Sequence, residues 1–316
     1  GTTFEDNTKF DTLSYMVPPG GTTAESNRGR GIFSGGYATP SYKTTIDYIQ
    51  IQSTGNASDF GDLSATGLGE GADCSSSTRA IQGGGSLINN MEYVTIATTS
   101  NTTDFGDLTV ARRSLNSLSS NTRGIWAGGT TNPAMSDVID YATIATTGDA
   151  TDFGNLTVGR RNPASAASPT RGLFAGGNPG SSPNLVDTID YITIATTGDA
   201  TDFGNLSDAY REMDGCSNGT RGLFAGGGPG SGALNTIEFI TIASAGNATD
   251  FGDLFVAAGN IGGTSNGTRG VFAGGAYFNT IQYVTIATTG NAADFGDLTL
   301  SRILYSATSD SHGGIE

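Results

Sequence analysis

Few residue sets in this 316-residue chain have the types and spacing that chemistry needs. The most frequent is a segment of the form [N/D]-x-x-D-F-G-[D/N]. At Asp149, Asp152 and Asn155 it sets oxygen donors at i, i+3 and i+6. That spacing could serve calcium, which takes six to eight oxygens, although one such loop supplies only about three side chains. Turn capping by the Asp residues, with the Phe buried, uses the same letters, so the expectation is no cofactor, with calcium as the alternative. A second set is Glu70, Glu212 and Asp214, acids that stand outside any repeated pattern. Two carboxylates ~5–10 Å apart could cleave a glycosidic bond, but the sequence singles out no pair. His312 is the only histidine, which excludes sites built on two His ligands. Gly226–Gly232 is glycine-rich but lacks the lysine and the strand–helix setting of a phosphate loop.

The elements that must position these residues come from a tandem repeat. R-G-φ-F-A-G-G or a variant recurs from Arg30, Arg79, Arg123, Arg171, Arg221 and Arg269. I-D-Y-φ-T-I-A follows each time, and then N-A-T-D-F-G-D-L. Degenerate copies occupy both ends, at Asn7–Ser14 and Leu298–His312. I-D-Y-φ-T-I is rich in β-branched and aromatic residues and apolar on both faces, as in a strand covered on both sides. The G-G pairs and the T-G-N-A-T-D turns supply the positive φ that tight connections need. No helical periodicity exceeds two turns.

Four short strands in ~48 residues describe a β-propeller blade. The fold expected is therefore all-β, a propeller of four-stranded antiparallel blades forming one domain over residues 1–316. Its units fall at about 30–78, 79–122, 123–170, 171–220, 221–268 and 269–316. Inner strands are expected to begin near residues 15, 65, 109, 157, 207, 255 and 299. This gives seven blades, the last a composite of both termini with residues 1–29 as closing and first inner strand; six blades is the alternative. In five of the six units the Arg that opens the second strand is expected to pair with the acid of the third, as Arg171 with Asp190 or Arg221 with Glu238; the sixth, Arg269 with Gln282, should be the weakest case. Cys74 and Cys216 sit at equivalent positions three units apart. That is too far for a disulfide, so both are expected as small buried residues.

The pattern resembles the kelch repeat. The double glycine after the second strand is present, as is the third-strand Tyr (Tyr48, Tyr93, Tyr141, Tyr191, Tyr283; Phe239 once). An Arg lies near the next inner strand at Arg113, Arg161, Arg211 and Arg302. It departs from kelch in placing the Phe of D-F-G where kelch has Trp, and in a longer Tyr-to-Phe gap. The wording IDYVTIATTGNATDFGDLT with TRGVFAGG is similar to kelch-like repeat proteins of marine bacteriophages. That resemblance implies a virion or extracellular setting and, as partners, other virion proteins or a host-surface glycan or protein.

Function in a repeat fold sits where the units differ. The connections between second and third strands differ most, and they carry Tyr37, Tyr42, Tyr277 and Phe278 among Gly, Pro, Ser and Asn. Such a composition suits polar recognition surfaces. A net charge of −15 argues against nucleic acid or anionic membranes, and no apolar run is long enough for a spanning helix. The expected function is a non-enzymatic binding or structural module, such as a virion or tail-fibre component. A glycan hydrolase or lyase and an intracellular kelch-type adaptor are the alternatives.

Overall fold

A computed structural model of the chain describes residues 29–64, 69–181, 184–230 and 232–315. These contain strands, turns and bends but no helix. They form six four-stranded antiparallel sheets and a small hairpin of Tyr37–Ala38 with Ser41–Tyr42. Blade 4 shows the plan. Ala164–Ala167 is innermost, followed outward by Arg171–Ala175, Thr188–Thr193 and Thr201–Asn205. The sequence anchors therefore fall on the strands expected for them.

The ring has six blades, which corrects the expectation of seven. Blade 1 takes its inner strand from the other end of the chain. Ser306–Ser309 pairs antiparallel with Arg30–Ser34, and Gly31 lies opposite Ser309. Closure by mixed ends thus occurs, but inside the sixfold count. Phe33, Ile49 and Ile51 of blade 1 share a core with Val271, Ile281 and Phe295 of blade 6, which leaves no gap for another blade. The inner strand expected near residue 15 and the degenerate copy at 7–14 lie outside the described residues. The other inner strands begin four to seven residues after the expected points, for example at Asn116 rather than 109 and Arg211 rather than 207. The intervening residues instead cross one face of the disc from the outer strand back to the centre.

Six apolar cores lie between neighbouring blades, one per junction. Each is built from the aliphatic positions of two blades and the Phe of D-F-G, whose six copies are all buried. Each Phe meets the third-strand aromatic edge-on; Tyr191 and Phe203 stand 6.1 Å apart. Cys74 and Cys216 are unpaired and buried, each packed against the strand-opening glycine of the next blade, Gly124 and Gly270.

The strand-opening arginines do not pair with the third-strand acids, contrary to expectation. Register decides this. Arg171 lies opposite Thr193, whereas Asp190 lies opposite Phe174, three residues further along and roughly 10 Å away. Arg171 instead lays its guanidinium over Tyr191, 4.7 Å from the ring centre. It then donates to the Ile242 carbonyl of the next blade at 2.8 Å. The same staple recurs at all six junctions, ending with Arg269 to Ile51 across the closure.

The acids find other partners. Asp47, Asp140 and Asp190 are fully buried against Arg302, Arg112 and Arg160, at 3.1, 2.9 and 2.9 Å. These arginines come from the segments that cross the disc face. Thr299, Thr109 and Thr157 of the same segments donate to the other carboxylate oxygen. Burial still pushes the carboxyls of Asp47 and Asp140 up against the pull of their arginines.

The D-F-G glycine is required by close approach. Gly154 has φ of +146°, and a Cβ there would lie 2.4 Å from the Gly198 carbonyl oxygen of the next blade. Gly198 has a similar φ of +155° with nothing within 4 Å. Gly154→Ala is expected to cost about 3 kcal/mol from combined clash and backbone strain, and clearly more than Gly198→Ala. Urea unfolding of the two variants checks this; equal losses would mean that the blades tolerate the clash.

Candidate functional site

The crossing segments and the connections between second and third strands emerge on the same face of the disc, here called the top face. Each crossing segment ends in a residue of left-handed conformation. These six are Glu70, Ser114, Asn162, Glu212, Asn260 and Leu304, with φ between 53° and 65°. Such conformations are unfavourable for residues other than Gly, Asn and Asp, so the surrounding ring must hold them. Backbone hydrogen bonds link several neighbours, as from Ser114 N to Glu70 O and from Asn162 N to Ser114 O. Together they form a collar around the mouth of the central channel.

Below the collar is a small recess of about 70 Å³. Glu70, Asp73, Glu212 and Asp214 all line it. Three of these were singled out from sequence, and Asp73 was missed. A signal existed, because units 2 and 5 read Glu-Gly-Ala-Asp-Cys and Glu-Met-Asp-Gly-Cys. The acids differ by one position between the units, so alignment on the repeat hides their kinship. Blades 2 and 5 stand opposite each other in the ring.

The outer pair of carboxylates is compensated. Glu70 accepts from Tyr42 Oη at 2.6 Å and Ser114 Oγ at 2.7 Å, and pairs with Arg113 at 3.4 Å. Glu212 pairs with Arg211 at 3.3 Å and accepts from Asn260 Nδ2 at 3.1 Å. The inner pair has no cation of its own. Asp214 accepts from Gly263 N, Gly215 N and Asn116 Nδ2 at 2.8, 2.9 and 3.0 Å. Burial pushes it up to about 6 despite these bonds. Both oxygens of Asp73 are buried, with the Ser34 and Ser306 hydroxyls beside them. Burial pushes Asp73 up to about 7; nearby Ser34 and Ser306 hydroxyls and Arg302 ease it only in part, and Arg302 is committed to Asp47.

The loop aromatics divide. Tyr42 is drawn into the collar through Glu70, and Tyr37 stacks on it edge-to-face at 5.3 Å. Burial, with the Glu70 contacts second, pushes the Tyr42 hydroxyl up to about 12. Tyr277 and Phe278 remain open to solvent on the top face at 54% and 47% exposure. The glycine-rich loop after Arg221–Gly228 borders a shallow groove beside Glu212 and Asn260.

Two further sequence candidates lie elsewhere. Asp149 accepts the Asp107 N–H of the preceding blade at 3.1 Å, and Asn155 bonds Asp199 of the following one. Asp149 and Asn155 thus serve different blade junctions. His312 lies at the far end of the channel, where residues 310–315 fold across it. Its Nε2 stands 3.0 Å from Ser119 Oγ, and its Nδ1 accepts the Gly314 N–H. A catalytic base would need the reverse tautomer, with Nδ1–H donating to an acid. Burial pushes His312 down to about 4, keeping it neutral.

No family model matches the chain, and no curated protein matches its sequence.

Proposed function

We propose that the protein is a recognition module whose top face binds a glycan of a host surface, in the virion setting implied by the kelch-like phage resemblance. One observation carries this reading. The exposed large apolar side chains among the described residues are Leu87, Val158, Phe255, Tyr277 and Phe278. All five lie in top-face connections. Exposed aromatics concentrated on one face suit polar ligands that also present apolar patches, as sugar rings do.

A glycan array probed with the purified ring tests it. Binding should fall at least tenfold in a Tyr277→Ala/Phe278→Ala variant, whose residues are exposed and whose unfolding should be unchanged. Wild-type protein that binds nothing on the array, or a variant that binds as well as wild type, would remove the reading. A second reading, a glycan hydrolase, is favoured by one observation: Asp73 and Asp214 face the same recess with carboxyls raised towards neutrality, as a general acid needs. Release of shortened glycans during the array incubation would favour that reading.

A further inference from the structure

We propose that residues 310–315 form a plug that closes the bottom of the channel and is released when His312 takes up a proton. Release opens the channel from face to face, whatever the top face binds.

The segment is seated on five of the six blades. In blade 1, Asp310 N donates to Arg30 O at 3.4 Å and Ser311 N to Ser309 Oγ at 3.3 Å. His312 Nε2 reaches Ser119 Oγ of blade 3 at 3.0 Å and the Ser75 carbonyl of blade 2 at 3.3 Å. Gly313 N donates to Ser217 O of blade 5 at 2.9 Å. Blade 4 makes the room. At the channel floor Ser75, Ser119, Ser217, Ser265 and Ser309 each donate a hydroxyl to the matching carbonyl of the preceding blade, at 2.5–2.7 Å. Blade 4 has Ala167 at that place and contributes no hydroxyl. Gly313 lies against the Ala167 carbonyl and Gly314 against that of Ser119, both too close for a Cβ.

The contacts of His312 fix a neutral imidazole. Ser119 Oγ gives its own proton to Ser75 O at 2.7 Å, so it accepts from His312 Nε2–H. Nδ1 is then the acceptor for Gly314 N–H, at 3.0 Å. A second proton has only Nδ1 to go to, where it sets two donors against each other and takes the acceptor from Gly314. No acid is placed to compensate. Asp310 turns its carboxylate to the Gly29 and Arg30 N–H groups. Asp73 and Asp214 stand two and three residues up their strands from Ser75 and Ser217, and the thiols of Cys74 and Cys216 are buried beside them. The other four inner strands carry no ionisable side chain. The strand-opening arginines are held at the blade junctions. Burial lowers the imidazole to about 4, with only the Ser75 carbonyl acting the other way. A released His titrates near 6.5, so between these values protons favour the released segment.

Hydrogen–deuterium exchange of the full chain at pH 7.5, 6.0 and 4.5 is the test. Corrected for intrinsic rates, protection of the 311–315 amides should fall on the order of 50-fold from pH 7.5 to 4.5. The inner strands Ala72–Ser75 and Ala164–Ala167 should stay protected. In His312→Gln, whose amide oxygen can accept Gly314 N–H and does not titrate, the fall should be absent. Unchanged protection of the segment overturns the proposal. So does an equal fall in the inner strands, which would make the whole ring the responding unit. A His312→Gln variant that keeps the full fall overturns it too. Should that variant fail to fold, the comparison of segment and inner strands in the native chain decides alone.

Discussion

Arg160→Ala is expected to destabilise the ring by roughly 3–5 kcal/mol, because it leaves Asp190 buried without its cation. Both side chains of this pair are fully buried, at 2.9 Å, and Arg160 also donates to the Phe174 carbonyl. The more telling result concerns rescue, since the chain contains two solutions to the same problem. Where the third strand carries Asp, at Asp47, Asp140 and Asp190, an Arg stands four residues after the D-F-G-D-L leucine (Arg302, Arg112, Arg160). Where it carries Glu, at Glu92 and Glu238, that Arg is replaced by Gly67 and Tyr210. The longer Glu reaches the crossing segment directly, and Ser207 N donates to Glu238 at 3.2 Å. Blade 6 has Gln282 with Ala258; the amide accepts from Val256 N at 2.7 Å and carries no charge. Charge length and arginine therefore change together. Arg160→Tyr with Asp190→Glu, which copies blade 5 into blade 4, should recover at least half of the stability lost by Arg160→Tyr alone. Urea denaturation of the three variants measures it. A double variant no better than the single would show that the blades do not share this logic.

The second large effect is pH-dependent. Asp73→Asn should leave stability near pH 4 almost unchanged and raise it with increasing pH, reaching a gain on the order of 4 kcal/mol above pH 7. The direction follows from proton binding. In the unfolded chain an Asp loses its proton near pH 3.9, whereas folded Asp73 holds it to about 7. Between those values the native state binds the extra proton, so wild-type stability falls as pH rises. Asn does not titrate and escapes that fall. Asp214 has the same sign up to about pH 6. Its Asn variant loses the acceptor for Gly263 N or Gly215 N, so it should start less stable. His312 works in the other direction. It is lowered to about 4 in the fold, so the unfolded chain binds the extra proton between pH 4 and about 6.5, and stability rises with pH there. Thermal melts of wild type, Asp73→Asn and His312→Gln from pH 4 to 8 separate the three. A wild-type to Asp73→Asn difference that does not change with pH would mean that Asp73 is ionised throughout.

Much of the architecture was legible in the residues. The G-G pairs, I-D-Y-φ-T-I and D-F-G marked the second, third and outer strands because each obeys a local rule of β-branching or positive φ. Inner strands were less legible. Ala164–Ala167 and Gly262–Ser265 are built of small residues because they crowd the axis, and such residues carry no strand signal of their own. That is why their starts were placed too early and one too many was counted. The ion pairs were misassigned for a related reason. An Arg and an Asp in adjacent strands are close in a repeat diagram, but their register separates them by three residues. The actual partner lies in a crossing segment that looks like a loop.

The sequence alone determined the repeat, its all-β character and the ring, because each follows from short-range periodicity summed over six copies. The tertiary structure decided what short-range patterns do not encode. It set the count at six, since closure depends on whether Phe33 packs against Phe295 and Val271 across the seam. It brought Glu70, Asp73, Glu212 and Asp214 from opposite blades to one recess. Asp73 and Asp214 lie more than a hundred residues apart and one position out of phase in the repeat. Only the closed circle makes neighbours of them, and only burial there turns two ordinary carboxyls into groups that lack a counter-charge.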